Sequence, residues 1–152
     1  MLHTPGMDES APARVVFHGA VVLLIGLCCG IPFALVLAGG GDPEVARAWR
    51  VAHVGIVAGG IWGIATGPAL RHVALGARGA SWLVESLVIS MYAFAVALIV
   101  SPIAGVRGLV AQGPPANWFV FTVNGIASTA SVIAAILLAS GAWRRMRAGA
   151  SR

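Results

Sequence analysis

Charged side chains are scarce in this sequence, and lysine is absent. Only 10% of the 152 residues are charged, whereas 59% are hydrophobic and the mean hydropathy is +0.90. A soluble domain of this size has roughly 25% charged residues, so the composition excludes that class and indicates an integral membrane protein. The net charge of +5 does not indicate nucleic-acid binding, because the arginines flank apolar segments and are explained by membrane topology.

Residue sets typical of soluble-enzyme chemistry are also missing. The two cysteines, Cys28 and Cys29, are neighbours inside an apolar run, so they lack metal-site spacing and would form only a strained disulfide. The sequence contains no carboxylate pair, Ser-His-Asp set, glycine-rich phosphate loop or CxxC motif. Ionisable and polar residues inside the membrane are therefore the first functional candidates.

Four apolar runs, each near the roughly 20 residues that cross a bilayer, organise the chain. We predict an all-α fold, a four-helix transmembrane bundle of residues 15–147, with flexible tails at 1–14 and 148–152. The second helix is expected to begin at Pro43 with Asp42 as its N-cap, and Pro32 to bend the first. The predicted spans are Val15–Leu37, Val45–Leu70, Ser81–Ile103 and Trp118–Trp143.

Arginine distribution predicts the orientation of the bundle. Short connections make neighbouring spans antiparallel, so both termini and the second loop share one side of the membrane. That side carries seven arginines: Arg14, Arg71, Arg78, Arg144, Arg145, Arg147 and Arg152. The other side carries three: Arg47, Arg50 and Arg107. The excess predicts cytoplasmic termini in a bacterial inner membrane.

His53, inside the second span, is the strongest candidate for a cofactor ligand. Arg50 lies one turn nearer the surface on the same face, and Gly60 lies two turns further in. This pattern suits a haem, with His53 on iron, Gly60 leaving room for the macrocycle, and Arg50 and Arg47 pairing with propionates. The alternative is an interfacial histidine bonded to a backbone carbonyl or water.

The other histidines do not supply a second iron ligand. His18 and His72 are expected near the opposite side of the membrane from His53. A haem on His53 would therefore be five-coordinate, with one open position, an arrangement suited to catalysis or sensing.

Glycine recurs at every fourth position of the second span, and this stripe predicts close helix packing. The fourth span has a similar face, so the two spans are expected to pack on each other, either within a protomer or between protomers. The stripe residues are Gly55, Gly59, Gly63 and Gly67, and those of the fourth span are Gly125, Ser128 and Thr129.

The remaining intramembrane polar residues are candidates for structural contacts or for a pocket. Glu85 is expected to form a structural ion pair with Arg78 or His72 rather than to act in catalysis. Asn124 suits an interhelical hydrogen bond or a pocket group. Ser90 and Tyr92 are possible pocket groups.

Several motifs, in their order and spacing, resemble those of the styrene oxide isomerases and, more loosely, of the hydroxylaminobenzene mutases. The resemblance covers about residues 15–147. It rests on "FHG" at Phe17–Gly19, "ARAWRVAHVG" at Ala46–Gly55, "MYAF" at Met91–Phe94 and "RGL" at Arg107–Leu109.

The resemblance implies haem b at the subunit interfaces of a homotrimer, with His53 as the iron ligand. It also implies that ferric iron acts as a Lewis acid on an epoxide oxygen, giving an aldehyde. We assign Arg47, Arg50, Gly59 and Gly60 to the cofactor site. A small lipophilic substrate would enter from the lipid bilayer.

The chain departs from the family pattern in the expected pocket. The resemblance places Gly59, Ser90, Phe94 and Leu98 where the family has asparagine, aspartate, asparagine and tyrosine. The pocket is therefore expected to be more apolar and to take a different or bulkier substrate. Ser90, Tyr92 and Asn124 are the predicted catalytic residues that remain.

Two other functions are compatible with the sequence. The absence of the family's polar pocket residues favours a non-catalytic haem sensor or carrier. The glycine faces suit a cofactor-free membrane module, such as an assembly subunit or a small transporter.

Overall fold

The computed structural model describes residues 9–150, and these form helices joined by short connections, with no strand among them. Four helical stretches are long and apolar enough to cross a membrane. The predicted all-α four-helix bundle of an integral membrane protein is therefore confirmed. Its helices are α1 (Ala11–Cys28), α2 (Gly30–Ala38), α3 (Pro43–Ala69), α4 (Ala77–Ala104) and α5 (Pro115–Ala150), with a 3₁₀ turn at Leu70–His72.

The first span is broken into α1 and α2 at Cys29, three residues before Pro32. Proline has no N–H to bond the carbonyl four residues earlier, and its ring crowds that carbonyl. In this chain that carbonyl belongs to Cys28, the last residue of α1. The first span is thus interrupted one turn before Pro32, where the sequence predicts a bend.

The predicted start of the second span is also confirmed. Helix α3 begins at Pro43, and the Asp42 carboxylate accepts a hydrogen bond from the Glu44 N–H at 2.8 Å. Proline suits the first helical position because that N–H has no intrahelical partner.

The helices extend beyond the predicted boundaries at both ends of the chain. Residues 11–14, expected in the N-terminal tail, are the first turn of α1, and residues 148–150 continue α5. Proline in the first turn suits the start of α1, as it does that of α3. The rest of the predicted tails, at 1–8 and 151–152, lies outside the described residues.

Glycines set the closest helix crossing, between α1 and α3. A Cβ added at Gly60 would lie 2.6 Å from Leu23 Cα, and one at Gly26 would lie 2.6 Å from Val57 N. Real Cβ atoms do not approach backbone this closely, so only glycine permits the crossing at these positions. Along α1, Gly19 contributes in the same way, since its Cβ would lie 2.6 Å from Ile64 N.

The bundle is open between its second and fourth spans. Helix α4 packs against α1, α3 and α5, but the described backbones of α3 and α5 nowhere approach within 8 Å Cα–Cα. The core is divided accordingly: one cluster centres on Val15, Leu83 and Leu87, and a second on Val22, Ile56 and Met91. The fourth-span glycine face therefore does not pack on the α3 stripe within a protomer.

Large apolar side chains cover much of the outer surface of the bundle. Phe17, Leu24, Trp82, Ile136 and Trp143 are each more than half exposed. Such extensive apolar exposure suits contact with lipid chains.

Cross-loop contacts agree with the predicted antiparallel arrangement. The second connection meets the end of α5, where the Ala74 N–H donates to the Gly141 carbonyl at 3.0 Å. On the other side, Arg107 of the third connection forms a salt bridge with Glu44 at 2.8 Å.

Asn117, which the sequence analysis did not single out, holds the third connection against the start of α5. Its side-chain oxygen accepts from the Gly108 N–H at 2.8 Å, and its amide donates to the carbonyls of Val110 at 2.8 Å and Gln112 at 2.7 Å. Gly108 also has a positive φ of 58°, and a Cβ there would collide with Val120.

Replacing Asn117 with alanine is expected to loosen this connection. The substitution removes three hydrogen bonds and leaves a buried N–H unpaired, at a cost of about 2–3 kcal/mol in unfolding free energy. Amide hydrogen exchange of residues 105–114 should become faster. Gln112→Ala is the matched control, because only its backbone carbonyl takes part. Equal exchange in both variants would show that Asn117 does not hold the loop.

Candidate functional site

A cleft of about 1480 Å³ occupies the opening between α3 and α5, with α4 as its floor. The α3 wall contains Gly55, Gly59 and Trp62, and the floor contains Phe94 and Leu98. A Cβ at Gly59 would meet nothing within 4 Å, so this glycine widens the cleft rather than packing on a helix. The cleft is large and mostly apolar, as expected of a site for a lipophilic ligand.

Uncharged polar side chains enter the cleft from α5 and α4. Asn124, Ser128 and Ser131 line it, and Ser90 reaches it from α4. The Ser90 hydroxyl donates to the Leu87 carbonyl at 2.9 Å, so its proton is engaged and only its oxygen lone pairs remain for a ligand. The structure thus brings two of the three predicted catalytic residues, Ser90 and Asn124, into one cleft.

A charged cluster borders one end of the cleft. Glu44 accepts hydrogen bonds from Arg47 at 2.6 Å and from Arg107 at 2.8 Å, and all three line the cleft with Asp42. Arg47 was predicted to pair with a propionate, but in the structure it pairs with Glu44. The i,i+3 spacing of Glu44 and Arg47 is itself a sequence signal for this pair.

His53 lies on another face of α3, against α1. Its Nδ1 lies 2.8 Å from the Gly26 carbonyl oxygen, which only accepts, so Nδ1 carries the proton and donates it. The imidazole also packs on Gly30, where a Cβ would approach within 3.2 Å of the ring. The alternative of a carbonyl-bonded histidine is therefore observed. In the neutral imidazole, Nε2 is then the nitrogen with the free lone pair that could bind a metal.

Arg50 and Gly60, which were assigned to the cofactor site with His53, have different surroundings from each other. Arg50 is exposed and forms no ion pair within residues 9–150. Gly60, predicted to leave room for a macrocycle, lies against the Leu23 backbone of α1 instead. The space at Gly60 is thus filled by a helix, because the α1–α3 crossing needs a residue without a side chain there.

The predicted glycine stripe on α3 serves two different surfaces. Gly63 and Gly67 pack closely, against Gly19 and Met91 and against Val16 and Pro12 respectively. Gly55 and Gly59 line the cleft. Close helix packing is therefore confirmed for Gly63 and Gly67, the C-terminal half of the stripe. Gly60, which is not part of the stripe, also lies on the packed face.

Tyr92, the third predicted catalytic residue, does not line the cleft. Its hydroxyl forms a hydrogen bond with His18 Nδ1 at 3.0 Å, and the two rings meet edge to face at 5.6 Å between centroids. The pair joins α1 to α4. Gly26, the partner of His53, lies eight residues beyond His18, roughly 12 Å along the helix, which agrees with the predicted separation of the two histidines.

Tyr92→Phe is expected to weaken the α1–α4 contact. Loss of this hydrogen bond should lower the unfolding free energy by about 1 kcal/mol, measured by SDS-induced unfolding in mixed micelles. A double-mutant cycle with His18→Leu isolates the pair, and a coupling energy near zero would show that the bond contributes nothing.

Glu85 has a different partner from the one predicted. Its carboxylate accepts a hydrogen bond from Ser81 at 3.0 Å, one turn earlier on α4, and forms no ion pair with Arg78 or His72. The side chain is exposed and outside the cleft.

Comparison with known proteins now identifies the family. The family model described as styrene oxide isomerase matches residues 12–143. The chain belongs to the styrene oxide isomerase family. It matches no curated protein. Family membership indicates an isomerase-like membrane protein and agrees with the resemblance found in the sequence.

The four positions at which the sequence resemblance implied a departure from the family pattern meet in the cleft. Gly59, Ser90, Phe94 and Leu98 come from α3 and α4, and all four line it. Several lining residues were not predicted from the sequence, among them Ser131 on α5 and Arg107 at the cleft end. Ser131 follows Asn124 and Ser128 at helical spacing, so the sequence contained a pattern that could have identified it. Arg107 is paired with a residue 63 positions away, a contact that no local pattern reveals.

Proposed function

We propose that this chain is a haem b-dependent membrane isomerase acting on a lipophilic epoxide. The hydrogen bond from His53 Nδ1 to the Gly26 carbonyl carries the proposal, because metal-binding histidines usually donate their other ring N–H to a backbone carbonyl or carboxylate. That bond fixes the tautomer and orients Nε2 for ligation.

The few metal-binding side chains near His53 suit a metal held in a cofactor that supplies most of its ligands. No group of three His, Cys, Asp or Glu side chains that could hold a metal ion occurs among residues 9–150. A haem needs only one or two protein ligands, because the porphyrin supplies four nitrogens. His53 would be that ligand, and the exposed, unpaired Arg50 would bind a propionate.

The positions of His53 and the cleft favour a site shared between protomers. Gly55, Gly59 and Trp62 lie about 180–240° around α3 from His53, so one chain presents its ligand and its cleft on different faces. In a closed trimer, the group held by His53 of one protomer would meet the cleft of the next, which is a head-to-tail contact. This arrangement supports the homotrimer implied by the family resemblance.

The cleft residues would bind and orient the substrate. Gly59, Phe94 and Leu98 give it apolar walls that exclude water and accept a molecule from the lipid phase. The cleft also offers polar groups to oxygen functions that the substrate carries: the Asn124 amide can donate to an oxygen, whereas the Ser90 oxygen can only accept and would therefore bond a substrate hydroxyl. When bound, haem iron would supply the Lewis acid that opens the epoxide, with a hydride shift giving an aldehyde and no net redox change.

A haem sensor or carrier is the second candidate function. The observation that favours it is the apolar character of Gly59, Phe94 and Leu98, which leaves few groups to orient an epoxide. Such a protein would bind haem and a gas such as CO without turning over a substrate.

An absorption spectrum of the detergent-purified protein, before and after dithionite, tests the proposal. We expect a Soret band that shifts on reduction, and aldehyde formation from members of an aryl and alkyl epoxide panel. A band that shifts with CO but accompanies no turnover would support the sensor. A colourless protein, even after hemin is supplied during expression, would overturn haem dependence and favour a cofactor-free membrane module.

A further inference from the structure

The α5 wall of the cleft carries a line of polar side chains, Asn124, Ser128 and Ser131, which we call the α5 polar edge. Their i, i+4, i+7 spacing puts them on one helix face, with rises of roughly 6 and 4.5 Å between neighbours. None of the three side chains forms a hydrogen bond within the described part of the chain.

This lack of partners distinguishes the edge from most other hydroxyls of the described spans; Ser86 and Thr129, which share it, line a separate groove. Thr66, Thr122 and Ser140 donate to carbonyls of their own helices three or four residues back. No fully buried side-chain N or O atom lacks a partner within residues 9–150, so the polar atoms of the edge are accessible from the cleft. Polar groups at membrane depth are costly unless something bonds them.

The opposite wall and floor are of different character. Gly55, Ala58, Trp62, Phe94 and Leu98 offer an apolar surface facing the polar edge. The cleft is therefore complementary to a flat or elongated apolar molecule with hydrogen-bonding groups along one side. A neighbouring protomer is a poor partner for the polar edge itself, because the outer surfaces of the described spans are dominated by large apolar side chains.

We propose that the α5 polar edge binds a second oxygen-bearing group of the substrate, such as a hydroxyl or carbonyl, remote from the reacting epoxide. The substrate class is then a lipophile with at least two oxygen functions. This inference rests on the proposed function for the epoxide, but the recognition of the second group depends only on the cleft.

Equilibrium binding of a terminal phenylhexanol and of hexylbenzene to the detergent-purified protein provides the test. The two probes differ by one hydroxyl. The parent protein is expected to favour the alcohol about tenfold after correction for micelle partition, since each net hydrogen bond is worth roughly two- to tenfold in affinity. Asn124→Leu combined with Ser131→Ala should bring the ratio close to one.

Thr129→Val is the matched control, because Thr129 lies on α5 but lines a different groove. It should keep the parental ratio. The single variants Ser128→Ala and Ser131→Ala should each reduce the ratio two- to fivefold, which preserves the test if the double variant does not fold.

Two results would overturn the inference. One is a parental ratio near one, or a ratio that the edge variants leave unchanged. The other is a protein that shows no preference for the alcohol and whose oligomer dissociates, as seen by native mass spectrometry, when the edge residues are substituted. That result would mean that the edge contacts a second copy of the chain. A colourless protein that keeps the preference would instead overturn the haem proposal alone.

Discussion

His53→Ala should purify with at least tenfold less haem per protein than the parent, measured from the Soret absorbance. The substitution removes the proposed iron ligand, and even changes to groups that merely orient a ligand cost 10- to 100-fold in metal affinity. The lost bond to the Gly26 carbonyl is expected to matter less for folding, because one hydrogen bond contributes about 1 kcal/mol.

His72→Ala is the matched control for this experiment, because His72 is exposed in the turn after α3. It should retain the parental spectrum. Adding imidazole to His53→Gly should restore part of the Soret band, since free imidazole can take the place of the missing side chain. A His53→Ala protein with its full complement of haem would show that iron is ligated elsewhere.

Gly60→Ala should lose about 3 kcal/mol or more of unfolding free energy, or fail to accumulate as folded protein. The added Cβ would lie 2.6 Å from Leu23 Cα, and the obstacle is helix backbone rather than the end of a flexible side chain. Overpacking of well-filled interiors typically costs 1–3 kcal/mol, and a clash that separates two spans lies at the upper end.

The neighbouring glycine provides a strict comparison. Gly59→Ala makes the same chemical change one residue earlier, where a Cβ meets nothing within 4 Å. It should stay within about 1 kcal/mol of the parent, because alanine has the higher helix propensity. SDS-induced unfolding and size-exclusion profiles measure both variants. Equal stability would mean that α1 and α3 do not cross closely at Gly60.

These two predictions draw on different amounts of sequence information. His53 stood out from its residue type and position in an apolar run, with support from the family motif around it. Gly60 was recognised as a place without a side chain, but its neighbour was taken to be a macrocycle. The sequence marks where bulk is missing, and only the packed helices show that Leu23 occupies the space.

The cleft shows the same division between local and remote information. Asn124 and Ser90 were predicted as pocket groups and lie together in it. Tyr92, two residues from Ser90, turns to His18 on α1 instead. Helical periodicity places residues two apart about 200° around the axis, so Ser90 and Tyr92 could not share a face.

The sequence by itself determined the membrane class, the four spans and the local signals at their ends, such as the Asp42 cap and the Pro32 break. These follow from apolar run length and from backbone chemistry within a few residues. The tertiary structure alone decided which helix faces meet. The bond from His53 to Gly26 joins residues 27 apart, and the cleft exists because α3 and α5 do not touch. Such choices depend on how distant side chains fit together, and no local pattern encodes that fit.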